Sequence, residues 1–150
     1  MDEPEVLPYH TGVEDERVPY RVVTSFEDLL AWQLARELTA DIYGITRESA
    51  IYRDFGLRDQ MRRAGVSIMS NIAEGHERGS SQEYYRFLAI AKGSCAELRS
   101  QLFAALDADY ISADTFSDVA QKAKRVGQLI GALRSSIRRH LEQTESTLRR

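Results

Sequence analysis

The chain has 150 residues, about the length of one domain, and it contains no apolar run long enough to cross a membrane. Its 43% apolar and 29% charged residues are typical of a soluble globular protein and exclude a disordered chain. A single cysteine, Cys95, excludes an internal disulfide and a cysteine-rich zinc site. The acidic start, MDEPEVLPYH, does not resemble a secretory signal, which predicts a cytoplasmic protein with no membrane contact.

The net charge of -3 is unevenly distributed along the chain. Residues 1–30 hold eight Asp and Glu residues against two arginines. From residue 119 onward the balance inverts, with eight Lys and Arg residues against two glutamates. Such asymmetry indicates either a nucleic-acid surface at one end or solvated helix faces with a charged tail.

Three regions are predicted along the chain. Residues 1–24 contain all three prolines and show no sustained periodicity, which predicts a flexible acidic N-terminal arm. Residues 25–142 carry helical patterns without proline and are predicted to form the folded domain. Residues 143–150 are predicted to form a basic C-terminal tail.

The first predicted helix covers residues 25–45 and starts at Ser25, whose hydroxyl can cap the free amide groups. The second covers residues 55–74. It is predicted to end at Gly75 and Gly79, because glycine takes the left-handed conformation without steric cost. Small or pliable residues four apart beside its apolar stripe predict close approach of a neighbouring helix: these are Gly65, Met69 and Ala73.

The third predicted helix follows a capping-box pattern, Ser80 with Glu83, and runs to about residue 108. The fourth begins after a cap at Ser112 and carries an unbroken alternation of three- and four-residue apolar steps to Leu141. Four amphipathic helices joined by short links predict an all-α fold, an antiparallel up-down-up-down four-helix bundle.

Three kinds of catalytic or metal site are disfavoured by spacing. The stretch GHERGSS has the wrong glycine spacing for a phosphate loop, and no lysine follows its second glycine. A di-iron site needs a glutamate three residues before a histidine, which His10, His76 and His140 all lack. Cys95 lies at a core-facing step and is predicted to be a small buried apolar residue. We therefore expect no cofactor, no metal and no enzymatic activity.

Polar residues recur at helical spacing along one edge of the second and third predicted helices. Burying such a group without a hydrogen-bond partner costs on the order of several kcal/mol, so buried polar groups are expected to bond one another. The pattern therefore indicates a satisfied polar seam, a polar face that points into an oligomer, or a ligand site. The residues are Arg63, Ser67, Asn71 and Glu74, followed by Ser94, Glu97 and Gln101.

A basic face of the second and fourth predicted helices is the candidate nucleic-acid surface, because phosphate binding needs cations grouped on one side. Arg134 and Arg138 lie one turn apart and share a face, whereas Lys122 and Lys124 diverge. No RNA-binding motif accompanies these cations. The candidate nucleic-acid-binding residues are Arg58, Arg62, Arg63, Lys122, Arg125, Arg134, Arg138 and Arg139.

Residues 57–98, LRDQMRRAGVSIMSNIAEGHERGSSQEYYRFLAIAKGSCAEL, resemble the four-helix-bundle family of proteins encoded in intervening sequences of 23S ribosomal RNA genes. The pieces QMRRAGVSI, SNIAEG and AKGSCAEL carry the resemblance, which extends more loosely over residues 26–140. It implies a homopentameric ring and points to the related accessory protein of diversity-generating retroelements, which works with a reverse transcriptase and nucleic acid. No catalytic role comes with it. The resemblance adds Arg78 and Glu83 to the polar seam, and Gly93 is a further motif position.

Two functional hypotheses follow. The first is a non-enzymatic, homo-oligomeric accessory protein that binds RNA or DNA through the basic face. A ring repeats this modest basic patch in each copy, and simultaneous binding by several copies raises the overall affinity. The second is a protein-interaction adaptor or scaffold that has no nucleic-acid role and docks a protein through the acidic arm or the fourth helix.

Overall fold

The structure, a computed structural model, describes residues 23–149, so the predicted acidic arm lies almost entirely outside the described residues. Within that range the secondary structure is entirely helical, which confirms the predicted all-α class. A short 3₁₀ helix, Phe26–Asp28, precedes five α-helices. These are α1 (Leu30–Ile45), α2 (Ser49–Arg53), α3 (Phe55–Glu77), α4 (Ser81–Asp107) and α5 (Ala113–Leu148).

The four long helices pack around one apolar core. Helix α1 contacts α3 and α5, and α4 likewise contacts α3 and α5, so each long helix has two neighbours. The apolar stripes predicted from the sequence supply the core, and each fully buried leucine or isoleucine contributes roughly 1.5–3 kcal/mol through removal from water. Fully buried members include Leu38, Ile42, Met61, Ile68, Ile72, Leu88, Leu98, Leu102 and Ile130. None of the described helices is both long and apolar enough to cross a membrane.

The structure confirms two predicted helix caps and contradicts a third. Ser80 accepts a hydrogen bond from the backbone at the start of α4, and Ser112 does the same at the start of α5. The predicted cap at Ser25 is wrong, because the residues after it form only the 3₁₀ turn and α1 begins at Leu30. The hydroxyl of Ser25 donates to the carboxylate of Glu27 rather than accepting from a backbone amide.

Gly75 does not end a helix, contrary to the prediction. Helix α3 continues through it to Glu77, and the residue that takes the left-handed conformation is Gly79, with a φ of 71°. Gly75 is instead a point of close contact between helices. A Cβ atom there would lie 2.7 Å from Cβ of Phe87 and 2.9 Å from a ring carbon of Tyr84, both on α4. The glycine therefore lets α3 and α4 approach.

The α2–α3 corner is tied to the far end of α4 by Asp54. One carboxylate oxygen of Asp54 accepts a hydrogen bond from the Leu57 amide at 3.1 Å and so caps α3. The other accepts from the Tyr110 hydroxyl at 3.0 Å, and this bond raises the pKa of the phenol above its usual value. Sequence analysis missed this cap, although Asp54 directly precedes Phe55, where the second helix was predicted to begin, and aspartate is a preferred N-cap residue.

Helix α5 is longer than predicted. It has 36 residues and is therefore about 54 Å long. Residues 143–148, which were predicted to belong to a tail, continue the helix, and all of them are exposed. The apolar pattern stops at Leu141, but residues 142–148 contain neither glycine nor proline, so nothing ends the helix there.

Candidate functional site

The polar seam is a hydrogen-bonded network between α3 and α4 at its centre. The hydroxyl oxygens of Ser67 and Ser94 are 2.8 Å apart, and Ser94 is only 7% exposed. Asn71 donates its side-chain amide to the Ser67 carbonyl at 2.8 Å and to the Ser67 hydroxyl at 3.0 Å. These three side chains satisfy one another, so they hold the two helices in register.

At the α3–α4 turn the seam becomes an exposed ion cluster. Arg78 donates to Glu74 at 2.8 Å and to Glu83 at 3.3 Å, and its guanidinium lies 5.1 Å from the ring centre of Phe87. The hydrogen bond that Arg78 donates to Glu74 is the main reason that the pKa of Arg78 is raised. Pairs this exposed stabilise a protein only weakly, so the cluster orients the turn more than it adds to stability.

Three predicted seam residues do not join this network. One of them, Gln101, has a buried side-chain oxygen that accepts no hydrogen bond from residues 23–149, so the seam is not satisfied there. Arg63 on α3 and Glu97 on α4 are both exposed and form no hydrogen bond or ion pair with another residue of the range 23–149. The seam is therefore internally satisfied at Ser67, Asn71 and Ser94, while Arg63 and Glu97 present opposite charges at the surface.

The Ser67–Ser94 hydrogen bond is expected to contribute to the free energy of unfolding. Either Ser67→Ala or Ser94→Ala should lower the free energy of unfolding by about 1 kcal/mol, because each leaves one hydroxyl without its partner. The double variant should cost less than the sum of the two, because it removes both hydroxyls together. Urea unfolding of the four proteins gives the coupling energy, and strict additivity would show that the two hydroxyls do not interact.

Two of the three predicted cations on α3 contact neighbouring residues at the corner formed by α1, α2 and α3. The side chain of Arg58 is only 16% exposed, lies over the rings of Tyr52 and Phe55 at 4.9 and 4.8 Å, and donates to the Tyr52 carbonyl at 3.1 Å. Arg62 lies 4.7 Å over the Tyr43 ring and donates to the side chain of Thr46 at 2.8 Å. Arg63 alone among the three is exposed.

Predicted cations on α5 lie on different sides of that helix. Lys122 faces α1, where it pairs with Asp41 at 2.6 Å. Arg134 faces α4 and lies 4.2 Å over the ring of Tyr85. Arg138 is one turn further on and 3.9 Å from a glutamate of its own helix, Glu142.

The two remaining cations of α5 that were predicted to bind nucleic acid, Arg125 and Arg139, are exposed and share another side of the helix. Helices α3 and α5 each pack on α1 and α4 but not substantially on each other in residues 23–149. The fold therefore does not bring Arg58, Arg62 and Arg63 together with the cations of α5.

A different group of cations lines a groove between α4 and α5. Its two adjoining halves have volumes of about 310 and 250 Å³ and share Arg99 and Lys124 as lining residues. Lys92 completes the set, and no carboxylate from the described part of the chain lines either half. None of these three cations forms an ion pair with another residue of the described range. We call this feature the α4–α5 groove.

Small side chains form the floor of the α4–α5 groove, and aromatic side chains mark its two ends. Gly127, Gly131 and Ala96 leave the space between the helices open, and a Cβ at Gly131 would lie 3.9 Å from Nζ of Lys92. One end is bounded by Phe103 and Phe116, whose ring centres are 4.8 Å apart, and Phe103 is 56% exposed. Beyond the other end lies the stacked pair of Tyr85 and Arg134.

Sequence analysis missed the α4–α5 groove, although the spacing contains it. Lys92 and Arg99 are seven residues apart, two turns along the same side of α4. Lys124, Gly127 and Gly131 follow one another on α5 at steps of three and four. Sorting the cations by helix side, rather than by region of the chain, would have grouped them.

Cys95 lies beneath the α4–α5 groove and is 2% exposed. Burial raises the pKa of its thiol to about 12, although the charge of Arg99 acts in the opposite direction. The thiolate, which is the nucleophile, is therefore scarce at neutral pH. Between residues 23 and 149, no three His, Cys, Asp or Glu side chains are grouped to hold a metal ion.

Comparison with known proteins gives the family. The family model described as "23S rRNA-intervening sequence protein" matches residues 27–132, which include α1 to α4 and most of α5. No curated protein matches the chain. A crystal structure of a protein of unknown function from the S23 ribosomal protein family of Bacteroides thetaiotaomicron is similar in fold, with a TM-score of 0.59 and 19% identity. The match covers 67% of this chain and 94% of that one. On the strength of the family match, the chain belongs to the 23S rRNA-intervening sequence proteins.

Proposed function

We propose that this protein is a non-enzymatic accessory protein that binds RNA or DNA in the α4–α5 groove. The observation that carries the proposal is the lining of that groove, where three cations meet that are unpaired within residues 23–149, and where none of those residues contributes a carboxylate. Phosphate groups are the polyanions that such a surface attracts, and each phosphate that a Lys or Arg neutralises releases counterions and so favours binding.

The overall acidity of the chain does not oppose this proposal. Of the 23 Asp and Glu residues, six lie in residues 1–22, where only two of the 20 Lys and Arg residues are found. The rest of the chain thus holds 17 acidic and 18 basic residues and is close to neutral. At physiological salt the Debye length is about 8 Å, so a bound phosphate responds to the charges of the groove rather than to the net charge.

The ends of the α4–α5 groove suit bases as well as phosphates. One end has the Phe103–Phe116 pair, and the other has Tyr85, which is covered by Arg134. The distance between the two ends, taken along α5 from Phe116 to Arg134, is about 27 Å. Phe103 is exposed, whereas Phe116 and Tyr85 are partly buried. An exposed aromatic ring near a basic groove is a surface on which single-stranded nucleic acids stack their bases. The Arg134–Tyr85 pair offers a planar surface of the same kind.

We also propose that the four long helices form an up-down-up-down bundle and that copies of the chain assemble into a homopentameric ring in the cytoplasm. The cyclic contact order of the helices supports the bundle. For self-association, the supporting observations are Val66 and Ile90, which are 40% and 47% exposed, and the exposed opposite charges of Arg63 and Glu97 on the same two helices, α3 and α4. Light scattering coupled to size-exclusion chromatography measures the number of copies.

A titration tests the nucleic-acid proposal directly. Labelled single-stranded RNA, single-stranded DNA and a duplex of matched length are titrated with the full chain, and anisotropy is recorded from about 50 to 200 mM salt. Binding should weaken as salt rises, and a plot of log affinity against log salt should be linear. Absence of binding to all three probes at the lowest salt would contradict the proposal.

A protein-interaction adaptor is the second candidate function, and one observation favours it. Tyr43, Tyr52 and Phe55 are 38%, 49% and 62% exposed at the corner of α1, α2 and α3, where Arg58 and Arg62 stack on them. Aromatic residues and arginine are the types enriched in protein interfaces. Under this reading Phe55→Ala abolishes capture of a protein partner and leaves nucleic-acid affinity unchanged.

A further inference from the structure

We infer that the α4–α5 groove accepts a single strand of nucleic acid and excludes a duplex, and that Phe103 is the residue on which one base of that strand stacks. This inference rests on the proposed function, since it names the form of nucleic acid that the groove binds. Three features carry it: the width of the groove, the placement of its cations on both walls and the exposed ring of Phe103.

The α4–α5 groove is narrow because it lies between two packed helices. The axes of such helices are about 8–10 Å apart, whereas the major groove of a DNA duplex alone is about 12 Å wide. A duplex can therefore rest only on the outer edges of α4 and α5. The two halves of the groove, about 310 and 250 Å³, are near the lower end of the volumes of ligand pockets. They suit a chain that is one nucleotide wide.

Cations line both walls of the α4–α5 groove, and its floor is open. Lys92 and Arg99 belong to α4, and Lys124 belongs to α5. A Cβ atom at Gly127 or at Gly131 would have its nearest contact 3.9 Å away, on α4. A backbone that follows the floor between these walls is thus within reach of cations on both sides, and no side chain has to move to admit it.

Phe103 places an aromatic ring in the same half of the groove as two of these cations. Phe103 is 56% exposed, and its ring centre lies 4.8 Å from that of Phe116, which holds the ring in position. Arg99 is one turn earlier on α4, about 6 Å away along the helix. One nucleotide can span that distance, with its phosphate on Arg99 and its base on the ring of Phe103.

A duplex cannot offer a base to Phe103 without opening, because its bases are paired and stacked on one another. Electrostatic attraction alone favours the duplex, which carries one charge per about 1.7 Å of its axis, against about 3.4 Å for each of its strands. A surface that responded only to charge would therefore bind the duplex more tightly. Preference for the single strand distinguishes a narrow groove with a stacking ring from a basic surface without one.

Competition between matched probes tests this preference. A labelled single strand, of whichever of RNA and DNA binds more tightly, is displaced from the full chain by the same unlabelled strand or by its duplex at one salt concentration. We expect the single strand to compete about tenfold or more better than the duplex. A duplex that competes equally well or better would overturn the inference and leave the proposed function intact. Absence of binding to every probe would reject the proposed function, and the inference with it.

Substitution of Phe103 tests the stacking. Phe103→Ala should weaken single-strand binding about tenfold, through the loss of one stacked base, and change duplex binding by less than about twofold. Phe103→Trp should keep the native affinity, because an indole ring also stacks. The matched control, Phe55→Ala, removes a similarly exposed ring, 62%, at the start of α3 and should change neither affinity. Equal losses for the two probes in Phe103→Ala, or no loss for either, would contradict the assignment of Phe103.

Filling the groove without changing its charge tests whether the strand enters it. Gly131→Leu adds a side chain next to the flexible end of Lys92, which can move aside. All three cations remain, so a ligand that rests on the outer edges of the helices is unaffected. We expect single-strand affinity to fall about fivefold or more, because the strand no longer reaches both walls. Native affinity in a Gly131→Leu protein that keeps its helical circular dichroism would contradict entry into the groove.

Discussion

Replacing Lys92, Arg99 and Lys124 together by glutamine is expected to weaken nucleic-acid binding roughly 100-fold at low salt. These cations line the α4–α5 groove without acidic partners, so their positive charge is available to phosphates. The slope of log affinity against log salt should decrease by about two to three, since each lost cation removes about one phosphate contact. Glutamine keeps the helix propensity and most of the side-chain volume, so the fold is retained.

The matched control removes three other exposed cations, through Arg63→Gln, Arg125→Gln and Arg139→Gln. It changes the net charge by the same amount, and all three belong to the basic face that was predicted from the sequence. Only a small loss of affinity is expected, because none of them lines the groove. If the control loses as much affinity as the groove variant, the binding surface is diffuse and the groove assignment is wrong.

Gly75→Ala is expected to lower the free energy of unfolding by about 2 kcal/mol. The added methyl group would lie 2.7 Å from Cβ of Phe87, which is too close for two carbon atoms, and 2.9 Å from the Tyr84 ring. Both neighbours are buried on α4, so α3 and α4 must move apart to admit it. The intrinsic gain in helix propensity from Gly to Ala, about 1 kcal/mol, offsets only part of this cost.

Gly93→Ala is the matched control for that experiment. Gly93 also lies inside a helix, but a Cβ there meets no atom within 4 Å. The variant should therefore be more stable than the native protein by up to about 1 kcal/mol. Urea unfolding, followed at several protein concentrations, gives both free energies. A Gly75→Ala protein as stable as the native one would contradict the close approach of α3 and α4.

The helices and their core faces were predictable because apolar spacing is a local property of the sequence. Leu38, Ile42, Ile68 and Ile72 all follow from steps of three and four, and all are fully buried. The close approach predicted beside α3 is confirmed at Gly65, where a Cβ would lie 3.3 Å from the Thr39 hydroxyl on α1. The burial of such residues can be predicted without knowing which helices are neighbours.

Features that depend on a second helix were harder to predict. Gly75 has the sequence context of a helix end, and only its contact with Phe87 on α4 shows that it belongs inside α3. The cations of the α4–α5 groove come from two helices, so their grouping depends on the packing order. Arg58 and Arg62 were assigned to a binding face because a sequence does not show that Tyr52, Phe55 and Tyr43 engage them.

Asp54 has a consequence for how the molecule opens. One of its oxygens holds the first turn of α3 and the other holds Tyr110, which is 56 residues away in the chain. Because a single side chain serves both contacts, a local fluctuation that releases Asp54 frees the start of α3 and the α4–α5 turn at the same moment. We therefore expect two segments distant in sequence to open together, so that their amide protons exchange with solvent in concert and more rapidly in an Asp54→Ala variant, which hydrogen exchange measures.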